Sequence, residues 1–445
     1  MPKEDTSLLA PAGESGRRGQ LPAIEGARVF ATTCILLVHW VKESHTDPST
    51  PPEETWTDTL FGTVRGRSNS GQRSAASLAV ELFFMMSGFV TLLSAPPPRD
   101  LREGMRLLAR KLLRLAPMYY FSLVLFVVLA FVRKLLDGCS GGDPDELATL
   151  PLFLTIFGIQ SWVPLGHDYG GVSIRSSVVG DCPPVVVGFI PTAVNGPTWF
   201  VSSLVGCFLV YTLVGAHLLR LSSTPARSIA AALAFAALRW LLHWATGDRV
   251  EFPVTAGWAH VFPLSTAISF LAGTFTAQLV LLLPEGGRVL AWRGWAFFDT
   301  PLFALTALAL YPWPGDGFGH RFNVLTTLTF WPLFLFLTAC TRKGLLLQAL
   351  SHPAVVPAGA LSYGAYCLQR SVRELLALRR WHIDSPHALV VYLFLCWLGA
   401  GICARFIEEP FRALTRDWYR AAGARPAAAP PPAKAAASTT AELPA

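Results

Sequence analysis

Residues 21–41 read LPAIEGARVFATTCILLVHWV, an apolar run that carries one arginine and one histidine, Arg28 and His39. A run of this length and composition predicts a helix that spans a membrane. Eleven residues of helix raise His39 about 16 Å above Arg28, roughly half of a ~30 Å hydrocarbon core. An ionisable side chain at that depth costs on the order of a few kcal/mol or more. His39 therefore indicates a functional site.

The rest of the chain is also strongly apolar. Of its 445 residues, 52% are hydrophobic and 15% are charged, whereas soluble domains average about 25% charged residues. Long apolar runs recur from end to end and are continuous rather than alternating, which favours helices over a β-barrel. The sequence therefore predicts an all-α polytopic membrane protein.

The charge and cysteine patterns narrow the function classes. A net charge of +7 is explained by basic cytosolic loops that set the orientation of a membrane protein, so it does not indicate nucleic acid. The eight cysteines show no metal-ligand spacing, so no metal site is predicted.

Ten hydrophobic spans are predicted. They lie at 24–42, 76–95, 115–134, 197–219, 228–246, 256–283, 296–312, 322–340, 355–377 and 388–407. A further run, Leu150–Pro164, is short for a span. If that run does not cross, nearly all basic loops share the cytosolic side with the N-terminus. We therefore predict about ten transmembrane helices, both termini cytosolic, and 150–164 re-entrant or along the interface, in the plasma membrane or an endomembrane.

The segments outside the spans complete the domain plan. Residues 1–20 and the Ala/Pro-rich tail 421–445 are predicted to be disordered on either side of a transmembrane domain at 21–420. Residues 135–196 form a long non-cytosolic loop that carries Cys139 and Cys182. Two cysteines in an oxidising compartment are expected to pair. Two free thiols are the alternative.

Glu81 lies on the second span at the depth of His39 on the first. Counted from the outer face, His39 is about three residues from the end of its helix, and Glu81 is about five residues into its own. One interpretation is a dyad in which the imidazole is a general base and the carboxylate fixes its tautomer. In the other, Glu81 faces loop water and His39 is an interfacial histidine. The residues alone leave both open.

A basic helix face precedes the third span. Its arginines follow one another at steps of three or four, with Lys111 beside them: Arg99, Arg102, Arg106, Arg110 and Arg114. This spacing predicts a basic amphipathic helix at the membrane surface. Two ligands fit such a face, namely anionic lipid and a polyanion such as coenzyme A.

Six stretches, taken in order, resemble the acyltransferase type 3 family of integral membrane acyl transferases. Arg28 and His39, separated by ten residues, are similar to the opening of that family. The other five stretches are VELFFMMSGF at 80–89, RKLLRLAPMYY at 110–120, PTWFVSSL at 197–204, LSYGAYCLQ at 361–369 and IEEPFR at 407–412. In this alignment Glu81 replaces the usual aspartate, while Ser87 is kept. The family fold has about ten helices.

The sequence departs from the family pattern at three places. Lys111 stands where arginine is usual, and lysine cannot form the bidentate phosphate fork. Many members carry a glutamate shortly after the tryptophan motif, and Ser202–Cys207 has none. Gln369 replaces the histidine of the SYxxYLxH motif, and an amide can hydrogen-bond but cannot shuttle a proton. The catalytic role is therefore assigned to His39 alone.

The resemblance implies an enzyme that moves an acyl group, most often acetyl, from acyl-coenzyme A to a hydroxyl of a carbohydrate or lipid acceptor. His39 would deprotonate that hydroxyl, Glu81 would orient His39, and Arg28 would act on the donor or on the thioester oxyanion. The donor would be bound by Arg106, Arg110, Lys111 and Arg114. The substrate residues would be Ser87, Trp199, Tyr363, Tyr366 and Gln369.

Two other function classes compete with this one. A secondary transporter also tolerates a buried His/Glu proton relay, but it predicts internal repeats, and none is apparent in this sequence. A catalytically silent relative that serves as a scaffold is kept open by Gln369. The acceptor, the acyl chain length and the oligomeric state are left open by the sequence.

Overall fold

The computed structural model describes residues 21–44, 73–95, 97–136, 152–163, 198–247, 262–283, 330–340, 344–379 and 385–423. Over these residues the chain is helical and contains no strand. Five described helices are long and apolar enough to cross a membrane: Leu101–Arg133, Trp199–Leu221, Pro225–Leu242, Pro263–Leu282 and Pro386–Arg416. An all-helical integral membrane protein is thus supported, while the count of ten spans stays a prediction.

The helices are numbered in chain order. They are α1 Pro22–Ser44, α2 Arg73–Ser94, α3 Leu101–Leu136, α4 Trp199–Leu221, α5 Pro225–Gly247, α6 Pro263–Leu282, α7 Phe330–Cys340, α8 Leu345–Leu350, α9 Val356–Leu378, α10 Pro386–Cys403 and α11 Glu409–Gly423. A π turn, Tyr211–Gly215, lies inside α4, and a second one, Ala404–Glu408, joins α10 to α11.

Several predicted features lie outside the described residues. These are the paired cysteines Cys139 and Cys182, the span 296–312, the N-terminal segment 1–20 and the tail beyond residue 423.

The basic surface helix and the third span form one element. The sequence analysis separated them near residue 115, whereas α3 is a single helix of 36 residues that runs through Pro117. Proline lacks the amide that would bond to the carbonyl of Leu113, but the neighbouring helices of a membrane bundle compensate for such a loss. The result is one rod of about 54 Å, longer than a hydrocarbon core.

The end of the last span also differs from the prediction. The predicted span ends at residue 407, but helical structure continues through Pro410 to Gly423. Just before the proline, the amide of Glu409 bonds to the carbonyl of Ala404, an i→i+5 step that shifts the hydrogen-bond register. Such a π turn lets the chain accommodate the proline ring without stopping. Arg405 forms an ion pair with Glu409, four residues farther along the helix.

Helix α6 lies at the centre of one half of the bundle, where it packs on α2, α4 and α5. A Cβ atom on Gly88 would lie 1.9 Å from the carbonyl oxygen of Phe270, and one on Gly273 would lie 2.0 Å from that of Met85. The backbones of α2 and α6 therefore touch directly, as small residues allow in membrane helices. This close approach brings the α2 residue Glu81 against α6.

Helix α9 organises the other half, where it packs on α1, α3 and α10. A Cβ atom on Gly359 would lie 2.5 Å from the backbone oxygen of Glu25, so α9 begins directly against α1. The two halves meet along α1 and α2, which pack on each other.

The short run at 150–164 is described from residue 152 to residue 163. It breaks at Gly158, which has a φ of 65°, and ends in the 3-10 turn Gln160–Trp162. Tyr119 on α3 donates a hydrogen bond to the carbonyl of Thr155. The described part is too irregular to be a spanning helix. Its re-entrant or interfacial position stays a prediction.

Candidate functional site

A cavity of about 150 Å³ lies where helices α1, α2, α3, α4, α9 and α11 converge. The spacing of its lining residues follows the helical repeat, so each helix contributes one face. Helix α2 contributes Phe83, Ser87, Val90 and Thr91; α4 contributes Phe200, Leu204 and Phe208; α9 contributes Gly359, Ala360, Ser362, Tyr363 and Tyr366.

The charge on the cavity wall is strongly unbalanced. Among the described lining residues, four are cationic, namely Arg28, Lys111, Arg114 and Arg412, and one is a carboxylate, Glu408. In a medium of low dielectric constant, an excess of like charge is costly unless a counter-charge is bound. The wall is therefore suited to an anionic ligand.

Two of these cations already have carboxylate partners. Nη1 of Arg28 donates to Oε1 of Glu25 over 2.7 Å, and Nη2 of Arg412 donates to Oε2 of Glu408 over 2.5 Å. Both pairs lie within one helix, three or four residues apart, the separation that places side chains on the same face. These carboxylates fix the positions of the two guanidinium groups.

The other two cations have no ion-pair partner in the part of the chain that the structure describes. Nζ of Lys111 lies 3.4 Å from Oγ1 of Thr91 and 5.5 Å from the ring centroid of Phe208. Arg114 forms no salt bridge with any described carboxylate. Both groups are thus available to a bound anion.

The remaining predicted donor residues are not brought to the cavity. Arg106 and Arg110 are absent from its lining, and Nε of Arg110 donates instead to the carbonyl of Arg106 over 3.3 Å. Of the four residues predicted to bind the donor, the structure places Lys111 and Arg114 in the wall.

His39 is held by Gln369. Its Nδ1 lies 2.8 Å from Oε1 of Gln369, whose Nε2 donates to the carbonyl of Tyr366 over 2.9 Å. Because a carbonyl can only accept, the amide must point Nε2 at Tyr366 and Oε1 at His39. Nδ1 of His39 must then carry the hydrogen, and the neutral ring has its lone pair on Nε2. Nε2 is the nitrogen that can act as a base.

Glu81 is bound by an ion-pair partner that the sequence analysis did not single out. Its Oε1 accepts from Nε of Arg239 over 3.0 Å, and its Oε2 accepts from Ser269. The side chains of Glu81 and Arg239 are each 1% exposed. The sequence did contain a signal for this pair, because an arginine inside the apolar span 228–246 needs a partner of opposite charge.

Gln369 is thus a partner of His39 at Nδ1, a contact that the sequence analysis did not predict. A direct contact between Glu81 and His39 stays a prediction. The family pattern had drawn attention to Gln369 as a lost proton carrier, rather than as a hydrogen-bond partner of the base.

Two residues of the cavity wall carry fully buried hydroxyls that lack hydrogen-bond partners among the described residues. They are Oγ of Ser362 and Oη of Tyr366, whose side chains belong to residues only 1% and 4% exposed. The neighbouring hydroxyl of Tyr363 donates to the carbonyl of Leu115 over 3.1 Å. Because buried polar groups are nearly always paired, these two hydroxyls are candidates for contact with a ligand.

Aromatic rings close one side of the cavity. The ring of Phe200 lies 5.5 Å from that of Tyr366 and 4.7 Å from that of Phe84. Trp199, predicted to contact substrate, does not line the cavity and packs 6.3 Å from Phe84. The sequence analysis missed this wall, although the spacing of Phe200, Leu204 and Phe208 on one face of α4 was its signal.

Comparison with known proteins agrees with this architecture. A family model described as an acyltransferase domain matches residues 21–406 of 445. No curated protein and no solved structure matches the chain. The family match covers most of the chain and begins at α1, where Arg28 and His39 lie. The chain belongs to the acyltransferase type 3 family of integral membrane acyltransferases.

Proposed function

We propose that the protein transfers an acyl group, most simply acetyl, from acyl-coenzyme A to a hydroxyl of a carbohydrate or lipid acceptor. The observation that carries this proposal is the cavity wall, in which Lys111 and Arg114 have no ion-pair partner among the described residues. Coenzyme A carries phosphate groups and a long uncharged arm, and the wall offers both cationic and apolar surface to such a molecule.

The donor would bind with its phosphates at the cationic part of the cavity. Arg28, Arg114 and Arg412 offer planar forks that match phosphate oxygens, and Lys111 offers a point charge. The side chains of Leu204 and Phe208 would cover the pantetheine arm. In the predicted topology this part of the bundle is on the cytosolic side, where acyl-coenzyme A is made available.

The transfer itself would use His39 as the general base. Nε2 takes the proton of the acceptor hydroxyl while that oxygen attacks the thioester carbonyl carbon. The C–S bond then breaks, and coenzyme A leaves as a thiolate that takes the proton from the imidazolium. Oε1 of Gln369 accepts the hydrogen on Nδ1 throughout, so the ring keeps its orientation.

Removing one unpaired cation is expected to weaken donor binding. Lys111→Gln and Arg114→Gln should each lower the affinity for coenzyme A by about ten- to a hundredfold, since a charged hydrogen bond is worth about 1.5–3 kcal/mol. Isothermal titration of the purified, detergent-solubilised protein with coenzyme A measures this change.

The matched control is Arg227→Gln, which removes an exposed arginine of α5. It should bind coenzyme A as the wild type does. Wild-type affinity in Arg114→Gln would remove the cavity from consideration as the donor site. Failure of the wild type to bind coenzyme A would contradict the proposed function itself.

Loss of the Gln369 amide is expected to slow transfer without affecting donor binding. Gln369→Leu deprives Nδ1 of His39 of its acceptor, and kcat should fall by about ten- to a hundredfold, the cost typical of losing a group that orients a functional histidine. The readout is radiolabel moved from acetyl-coenzyme A into a lipid and oligosaccharide extract of the host membranes.

Gln369→Asn is the companion variant, because it keeps an amide but shortens its reach. We expect a kcat between those of the wild type and Gln369→Leu. An unchanged kcat in Gln369→Leu would show that the hydrogen bond to His39 does not position the base.

A further inference from the structure

We propose that Tyr366, assisted by Ser362, donates the hydrogen bonds that stabilise the thioester oxyanion during transfer. The proposal rests on the proposed function and assigns a chemical role to two residues of the same cavity. It begins with two residues that line the cavity and whose hydroxyls are buried and have no hydrogen-bond partner among the described residues. A protein leaves such donors unpaired at a cost of about 1–3 kcal/mol each.

The position of Tyr366 links the cavity to the base. Ser362, Tyr366 and Gln369 follow one another at i, i+4 and i+7 along α9, so they share one helix face. Tyr366 lines the cavity, and Gln369, one turn farther along, binds both the Tyr366 carbonyl and His39. A thioester held beside Tyr366 would therefore lie next to the residue that carries the base.

The chemistry calls for donors at this place. When the acceptor oxygen attacks, an electron pair moves from the C=O bond onto the carbonyl oxygen, and it returns as the C–S bond breaks. Hydrogen-bond donors fixed at that oxygen stabilise the charge most when water is excluded. The two hydroxyls keep their protons throughout, and no further reactant is needed.

The other polar groups nearby are committed elsewhere. The hydroxyl of Tyr363 donates to the carbonyl of Leu115, and Nη1 of Arg28 is held by Glu25. Arg28 therefore contributes positive charge near the donor phosphates rather than a hydrogen bond to the oxyanion. Among the described lining residues, Tyr366 and Ser362 are those with fully buried hydroxyls that have no partner.

The test is Tyr366→Phe, which removes one oxygen and keeps the ring that packs on Phe200. We expect kcat for acetyl transfer to fall by about 10²–10³-fold, the usual loss for one oxyanion donor, while KM for acetyl-coenzyme A stays unchanged. Ser362→Ala should lower kcat less, by about tenfold. The same assay of radiolabel transfer reports both constants.

The matched control is Tyr211→Phe on α4. Tyr211 is fully buried, and its hydroxyl also has no hydrogen-bond partner among the described residues, but it does not line the cavity. Its kcat should equal that of the wild type. The pair of tyrosines thus separates a role at the cavity from the general effect of removing a buried, unpaired hydroxyl.

The outcomes separate this inference from the proposed function. If the wild type is active and Tyr366→Phe is equally active, the oxyanion role alone is overturned. A raised KM of Tyr366→Phe at unchanged kcat also overturns that role, because it would show that Tyr366 binds the substrate in the ground state. A wild type that neither binds coenzyme A nor transfers acetyl overturns the proposed function. If Tyr366→Phe fails to fold by size exclusion, Ser362→Ala decides the question in its place, with wild-type kcat as the overturning result.

Discussion

Replacing His39 with alanine is expected to lower kcat for acyl transfer by about 10²–10⁴-fold, the contribution typical of a general base. The affinity for coenzyme A should not change, because His39 is about 16 Å along α1 from Arg28 at the cationic wall. The measurement combines radiolabel transfer from acetyl-coenzyme A with titration of coenzyme A on the same purified protein. A large fall in kcat with intact donor binding is the signature of a base.

His217→Ala is the control for this experiment, since His217 is an exposed histidine on α4 away from the cavity. It should transfer acetyl at the wild-type rate. Unchanged transfer in His39→Ala would remove the catalytic assignment. Uptake of labelled substrate into proteoliposomes without acyl transfer would favour a transporter, and donor binding without turnover in the wild type would favour a silent relative.

Much of the helical architecture could be predicted from the sequence, because bilayer thickness sets the length of an apolar run. The runs around His39, Glu81 and Tyr366 each correspond to a helix, α1, α2 and α9. The short run at 150–164 is likewise not a continuous helix where it is described. In each case the length of the run was the signal, and length is a local property.

Helix ends were harder to predict where proline was involved. The sequence analysis began the third span at residue 115, next to Pro117, and ended the last span at residue 407, before Pro410, whereas both helices run through their prolines. A π turn before Pro410 shifts the hydrogen-bond register there, and membrane bundles tolerate proline where neighbouring groups satisfy the freed backbone carbonyls. These outcomes depend on tertiary contacts that no local pattern reports.

The residues of the candidate site were likewise predictable from the sequence only in part. Arg28, Lys111 and Arg114 could be found because charges in apolar surroundings are conspicuous. The hydrogen bond between His39 and Gln369 joins residues 330 positions apart, and the sequence does not state which faces of α1 and α9 meet. The ion pair of Glu81 with Arg239 was missed for the same reason, since it joins residues 158 positions apart on α2 and α5.

Breaking the buried ion pair between Glu81 and Arg239 is expected to have the largest effect on stability. Both side chains are 1% exposed, and the pair joins α2 to α5. Glu81→Leu removes the carboxylate partner of Arg239, and Arg239→Met removes the cationic partner of Glu81. Each should destabilise the protein by about 3–5 kcal/mol, because one charge then stays in a medium of low dielectric constant without the opposite charge of its ion pair.

Thermal unfolding followed by tryptophan fluorescence in detergent measures this effect. The double variant Glu81→Leu, Arg239→Met removes both charges, so it should recover most of the stability that each single variant loses. Arg405→Gln is the control, since it breaks an ion pair whose side chains are 71% and 53% exposed and should change stability little.

The same double variant decides what Glu81 does in transfer. If Glu81 serves only the ion pair, the stable double variant should transfer acetyl at nearly the wild-type rate, because His39 is oriented by Gln369. If the variant folds and binds coenzyme A but does not transfer, Glu81 acts on the chemistry beyond its pairing with Arg239. Additive losses of stability in the double variant would instead contradict the ion pair as the source of the effect.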